Sequence, residues 1–79
     1  MSTDKIGQIP PIKFERFLLF IGCVYKRQKG SHKVFHRDGL IRPIILPIHS
    51  GDIPVFIIRN ILRQLNMSVE NYLEILKKL

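Results

Sequence analysis

The sequence predicts a small α+β domain with the element order α-β-β-β-α-α. Three observations predict it. Apolar residues recur at helical spacing near the start of the chain, alternate with a period of two in the middle, and return to helical spacing near the end. With 79 residues, the chain has room for two or three helices and a small sheet. We expect residues 1–9 to be a loose leader and residues 10–79 to form a single domain.

The first helix is predicted to begin after the pair Pro10-Pro11. Pro11 suits the first turn of a helix, because its missing N–H would have no partner there. Gly22 can end the helix in the left-handed conformation. The apolar face between these two positions consists of Phe14, Phe17, Leu18 and Ile21.

Two strands are predicted next, because the apolar period changes to two. Within Cys23–Gln28, the alternation places Lys26 on the face opposite to Arg27. Lys29-Gly30 is predicted to form a tight turn, and Ser31–Arg37 to form the second strand. The residues expected to share one face of the second strand are His32, Val34 and His36.

A third strand is predicted over Ile41–Ile48, which is rich in β-branched residues. Asp38-Gly39 predicts a two-residue hairpin turn before it, in which both residues have positive φ. Pro43 and Pro47 have no N–H for a sheet hydrogen bond, so this strand is expected at an edge of the sheet.

Two helices are predicted to close the chain. Asp52 can cap the first of them, with Pro54 inside its first turn. Ser68 can cap the second. The helically spaced apolar residues are Ile57, Ile58, Ile61, Leu62 and Leu65 in the first helix, and Tyr72, Leu73, Leu76 and Leu79 in the second.

Composition and charge narrow the class of function. Thirteen Lys and Arg residues against six Asp and Glu give a net charge of +7, which favours a polyanionic partner, either nucleic acid or an acidic protein. The apolar run Phe14–Val24 is too short and too charged to span a bilayer, and the first residues lack a signal-peptide pattern. The one cysteine, Cys23, cannot form an internal disulfide. These features favour a reducing, cytoplasmic setting without a membrane partner.

The middle of the chain carries a specific motif. Arg27-Gln28-Lys29-Gly30-Ser31-His32 lies between Gly22, at the end of the first helix, and the aromatic Phe35. The later segments that belong to the same pattern are Pro47-Ile48-His49, Ile53-Pro54, Arg59-Asn60-Ile61-Leu62-Arg63-Gln64 and Ser68-Val69-Glu70-Asn71-Tyr72-Leu73. With these segments the chain resembles, over roughly residues 9–77, the HicA-type (YcfA-like) mRNA interferase toxins of type II toxin–antitoxin systems.

The resemblance implies a fold like a double-stranded RNA-binding domain, in which a three-stranded antiparallel sheet packs on helices and a short C-terminal helix follows. It implies an endoribonuclease that cleaves mRNA independently of the ribosome, with His32 as the catalytic acid or base. It also implies neutralisation by a HicB-type antitoxin protein. The chain departs from the family pattern at Cys23, where an aromatic is usual, and at Phe56-Ile57, where Gly-Thr is usual.

The chemistry of RNA cleavage fits the residues around His32. RNA supplies its own nucleophile, the 2′-hydroxyl, so a metal-free enzyme needs a base, an acid and positive charge at the phosphate. Imidazole suits proton transfer because it gains and loses a proton near neutral pH. A glycine turn lets backbone approach a phosphate closely. The residues expected to contact RNA are Lys26, Arg27, Lys29, Gly30, Ser31, Lys33, Arg37, Arg59 and Arg63.

Two other histidines are secondary candidates. His36 shares the strand face of His32 and is a candidate second acid–base group, and His49 is a candidate RNA contact. The three histidines and Cys23 lack the spacing of zinc ligands, so we expect no metal and no cofactor. The sequence leaves two alternatives to an enzyme open: a non-catalytic RNA-binding module and an antitoxin-binding module on the same fold.

Overall fold

The structure is a computed structural model that describes residues 6–48 and 51–79. It confirms the α+β class and the predicted element order. The elements are α1 (Pro11–Phe20), β1 (Val24–Lys29), β2 (His32–His36), β3 (Ile44–Pro47), α2 (Val55–Gln64) and α3 (Val69–Leu76). None of the helices among these residues is long and apolar enough to cross a membrane.

The three strands form one antiparallel sheet in the order β1-β2-β3. Lys29 of β1 pairs with His32 of β2, so the connection between them is the two-residue turn Gly30-Ser31, one residue later than the sequence predicts. Gly30 has φ +60°, a conformation that glycine adopts without steric cost. His32, the candidate catalytic residue, therefore lies directly after a tight turn.

The third strand lies at an edge of the sheet, as its prolines predict, but it is shorter than the predicted Ile41–Ile48. The link from β2 to β3 spans seven residues, so the prediction of a two-residue hairpin at Asp38-Gly39 is wrong. Gly39 has φ +93° in a turn closed by the Leu40 N–H and the Arg37 carbonyl at 3.1 Å. Outside the strand, Ile41 is almost fully exposed.

The exposed edge of β3 is contacted by the end of α2. The side-chain amide of Gln64 donates to the carbonyl oxygens of Arg42, at 3.1 Å, and Pro43, at 2.9 Å. Pro43 and Pro47 themselves offer no N–H groups. At the start of this edge, the carbonyls of Arg42 and Pro43 are therefore paired, and Pro43 has no N–H to leave unpaired.

The core lies between the helices and one face of the sheet, which we call the core face. Paired residues point to the same face of a sheet, so the register assigns Phe35, Ile44 and Leu46 to the core face. The helical residues that pack with them are Phe14, Phe17 and Leu18 from α1, Ile58, Ile61 and Leu62 from α2, and Tyr72 from α3. Cys23 is also buried there, and burial raises the pKa of its thiol while Arg37 opposes the shift.

The helix termini follow the predicted signals in three of four places. Pro11 lies in the first turn of α1, Gly22 follows the helix with φ +96°, and the Ser68 hydroxyl caps α3 by accepting from the Asn71 N–H at 3.0 Å. The predicted cap at Asp52 and the predicted position of Pro54 inside the first turn of α2 are both wrong. The N-cap of α2 is Pro54, whose extended backbone (φ −66°, ψ 151°) precedes the first helical residue.

The chain before α1 also contacts the core. Ile9 pairs with Ile53 in an isolated antiparallel bridge, with the Ile53 N–H donating to the Ile9 carbonyl at 2.8 Å. Ile6 and Ile9 are partly buried against the core. The end of the segment expected to be a leader thus ties the start of α1 to the start of α2.

Candidate nucleic-acid interface

The second face of the sheet, which we call the open face, carries the histidines. Because pairing fixes the direction of side chains, His32 faces the same way as its partners Lys29 and Pro47. The remaining residues that the register assigns to this face are Val24, Arg27, Val34, His36 and Ile45. The prediction that His32, Val34 and His36 share a face is confirmed.

The hairpin turn before His32 is held by hydrogen bonds at both of its carbonyls. The Gln28 side-chain amide donates to the Gly30 carbonyl at 3.0 Å. The Ile48 N–H donates to the Ser31 carbonyl at 2.6 Å, across from the end of β3. These bonds anchor the main chain of the turn directly before His32.

A cleft of about 560 Å³ opens beside His32. Arg27, Lys29 and the turn border the cleft, and Val34 and Ile45 form its apolar part. The complete lining is Arg27, Lys29, Gly30, Ser31, His32, Val34 and Ile45. The structure therefore brings the predicted catalytic residue together with four of the predicted RNA contacts. An anion in this cleft would meet two positive charges and an imidazole.

A β-bulge changes the predicted directions of the β1 side chains. The register shifts between Tyr25, which pairs with Phe35, and Arg27, which pairs with Val34. Lys26 is thereby the extra residue, and it lines a cleft with His36 and Val24, which belong to the open face. The prediction that Lys26 and Arg27 lie on opposite faces is wrong, because the bulge interrupts the alternation.

Lys33 stands apart from the other cations. It lies on the core face, where its ammonium contacts both carboxylate oxygens of Glu15 in α1, at 3.0 and 3.1 Å. The two side chains are 26% and 17% exposed. Lys33 also lies 5.9 Å from the ring centroid of Tyr25. This ion pair joins α1 to β2 beneath the strand that carries His32, and the structure does not bring Lys33 to the cleft.

His36 lies at the other end of β2, four residues after His32, which corresponds to about 13 Å along a strand. It borders a second cleft of about 320 Å³ together with Lys26 and Arg37. The structure therefore places the two histidines beside different clefts. His49 lies outside the residues that the structure describes.

Arg59 and Arg63 lie on the exposed side of α2 and do not line the His32 cleft. Together they border a groove between α2 and α3. The guanidinium of Arg63 donates to the Asn60 side-chain oxygen at 3.2 Å. Arg63 also borders the surface between α2 and β3, which includes Ile45 at the margin of the His32 cleft.

Two features of the site were not anticipated from the sequence. One is Glu15 as the partner of Lys33: the two residues are 18 positions apart in the chain, so no local pattern connects them. The other is the bulge at Lys26, which depends on the pairing of β1 with β2; the polar run Lys26–Lys29 has no alternation that could reveal it.

The sequence profile of a family described as HicA toxin of bacterial toxin–antitoxin matches residues 13–67. This segment extends from α1 to the residues after α2 and contains both clefts of the open face. A search of curated proteins gave no significant match. The matched segment covers more than two thirds of the chain, so the chain belongs to the HicA toxin family of bacterial toxin–antitoxin systems.

Proposed function

We propose that the chain is a metal-independent endoribonuclease that cleaves mRNA without the ribosome, with His32 as its catalytic acid or base. One observation carries the proposal. His32 borders a cleft between Arg27 and Lys29, directly after a turn whose two carbonyls are hydrogen-bonded. The family membership supports a toxin, and mRNA as the substrate would place its action in the cytoplasm.

The proposed reaction uses the RNA's own hydroxyl. His32 removes the proton from the 2′-hydroxyl, whose oxygen attacks the adjacent phosphorus. The bond from phosphorus to the 5′-oxygen breaks, which leaves a 2′,3′-cyclic phosphate and a 5′-hydroxyl on the two fragments. Arg27 and Lys29 stabilise the negative charge that develops on the phosphorane. Because His36 borders a different cleft, the proton for the leaving 5′-oxygen comes from Lys29, Ser31 or water.

Cleavage of labelled RNA tests the proposal directly. The purified chain should shorten the RNA in the presence of EDTA and leave cyclic phosphate ends. His32→Ala and His32→Gln should abolish cleavage, and both should keep the parent's circular dichroism spectrum because His32 is exposed. RNA with 2′-deoxy substitution throughout should remain intact. Undiminished cleavage by the folded His32→Gln variant would overturn the assignment.

The same assay separates an enzyme from a binding module. A non-catalytic RNA-binding protein would bind RNA with an affinity that falls with salt, yet would leave its length unchanged even in excess. We favour the enzyme because the cleft combines an imidazole, which can transfer a proton near neutral pH, with the cations of Arg27 and Lys29.

The family implies an antitoxin partner, and we propose that it is a HicB-type protein. A basic chain with a net charge of +7 fits an acidic antitoxin surface. Co-expression should restore growth of cells that produce the active chain, and the purified pair should form a complex. Rescue of growth without complex formation would exclude direct neutralisation.

A further inference from the structure

The β-bulge of β1 distributes two consecutive cations between two clefts on the open face. Arg27 borders the His32 cleft, and Lys26 borders the second cleft at the opposite end of β2. In a regular strand these neighbours would point to opposite faces. Bulges commonly redirect side chains beside functional sites. This bulge therefore produces two basic clefts from one strand.

The second cleft has a composition suited to a phosphate. Its lining is Gly22, Val24, Lys26, His36, Arg37 and Asp38. Two permanent cations outnumber the one carboxylate, and His36 adds a further hydrogen-bonding group. The guanidinium of Arg37 can hold two phosphate oxygens with parallel hydrogen bonds. The cleft therefore retains a positive charge that favours an anionic group.

The two clefts lie on one path across the open face. Their histidines mark the two ends of β2, separated by about 13 Å. The central position between them is Val34, which is buried although it lies on this face and is flanked in the register by Arg27 and Ile45. A ligand that fills both clefts must carry separated negative charges with a less polar part between them.

We propose that the second cleft is a distal phosphate site, in which Lys26 and Arg37 hold the backbone of the same RNA strand that is cut at His32. This inference rests on the proposed ribonuclease function and extends it to the substrate's binding mode. RNA fits because its phosphates recur along the chain with sugars and bases between them. The enzyme consequently requires a strand that extends beyond the scissile bond along the direction of β2.

Binding of uncleavable RNA tests the site apart from catalysis. We would measure the fluorescence anisotropy of a labelled 2′-O-methyl oligonucleotide with the parent and with Lys26→Ala/Arg37→Ala. The double variant should bind about tenfold more weakly, since a charge-assisted contact is lost. Its log–log salt slope should fall by about 0.7 for the one phosphate released.

A matched control removes two charges from the other side of the molecule. Lys13→Ala/Arg16→Ala changes two exposed cations of α1, which covers the core face. This variant should keep the parent's affinity and salt slope. An equal loss in both variants would show that net charge alone governs binding and would overturn the proposal.

A scan with neutral linkages locates the phosphate. One methylphosphonate is moved along the oligonucleotide, and each version is measured with the parent and with Lys26→Ala/Arg37→Ala. At one linkage the neutral group should weaken the parent's binding but leave the variant's binding unchanged. The same scan with His32→Ala should identify a different linkage as the one at which the neutral group no longer weakens binding.

The outcomes for the two proposals are separable. Coupling at a distal linkage supports the site even if the parent cleaves no RNA, in which case only the ribonuclease proposal fails. Cleavage by the parent without coupling at any linkage overturns the distal site alone. If Lys26→Ala/Arg37→Ala binds RNA normally but no longer binds the antitoxin, the cleft belongs to the protein partner, and the proposal of a distal phosphate site is also overturned.

Discussion

The hydroxyl of Tyr72 is the clearest energetic defect in this small core. Tyr72 is 1% exposed and lies edge-on to Phe17, with ring centroids 4.8 Å apart, and 6.1 Å from Phe14. Its oxygen has no hydrogen-bond partner among the residues that the structure describes. Tyr72→Phe removes this oxygen and leaves the ring that fills the core.

The expected gain follows from the cost of an unpaired polar group. A buried hydroxyl without a partner costs about 1–3 kcal/mol, so Tyr72→Phe should raise the free energy of unfolding by about 1–2 kcal/mol. In a domain of this length, each kcal/mol corresponds to about 4–8 °C in Tm. Urea and thermal unfolding followed by circular dichroism would measure both quantities.

The pH dependence supplies a second readout. Burial raises the pKa of Tyr72 to about 12, whereas the unfolded chain has the ordinary value near 10. The folded state holds this proton more tightly than the unfolded state, so ionisation favours unfolding. Tyr72 therefore leaves the free energy of unfolding unchanged below pH 10 and lowers it as the pH rises from 10 to 12. The two pKa units correspond to about 3 kcal/mol. The parent should lose this amount relative to Tyr72→Phe over that interval.

Two results would refute the reasoning. If Tyr72→Phe is destabilised by 1 kcal/mol or more at pH 7, the hydroxyl has a partner in the folded protein. If parent and variant show the same loss of stability between pH 10 and 12, Tyr72 does not titrate as a buried group.

Three further predictions concern the elements that hold the site. Glu15→Gln should lower the free energy of unfolding by about 1–2 kcal/mol, between the values for exposed and buried ion pairs. A double-mutant cycle with Lys33→Met should show coupling in urea unfolding, and additive effects would contradict an ion pair. Ser68→Ala should cost about 1 kcal/mol through the lost contact with the Asn71 N–H, whereas an unchanged Tm would show that the cap contributes nothing. Gly30→Ala should cost about 1 kcal/mol because of its left-handed backbone, and a neutral effect would place the turn in another conformation.

The fold was predictable where local chemistry and periodicity agree. The helical stripe of Phe14, Phe17 and Leu18 is buried as expected, and Gly22 and Ser68 occupy the end positions that their chemistry favours. The placement of β3 at an edge followed from its prolines. In each case the determining interaction lies within a few residues of the chain, so the sequence records it directly.

Two of the errors concern interactions that depend on distant parts of the chain. Asp52 has the chemistry of a cap, but the bridge between Ile9 and Ile53 fixes the backbone there, and α2 begins after Pro54. The bulge at Lys26 depends on the pairing of β1 with β2, which a period of two in a single strand cannot reveal. The sequence therefore predicted that His32 follows a tight turn, one residue from the turn's actual position, but it did not predict the division of the cations between two clefts.

The contact of Gln64 with the edge of β3 has a consequence for assembly. An edge strand with free N–H and C=O groups can accept a strand from another molecule, which leads to dimerisation or aggregation. Here Pro43 and Pro47 supply no donors, and Gln64 already occupies the carbonyls of Arg42 and Pro43. Sheet extension at the start of this edge is therefore disfavoured. A protein that binds there has few main-chain groups left to pair with and contacts side chains instead.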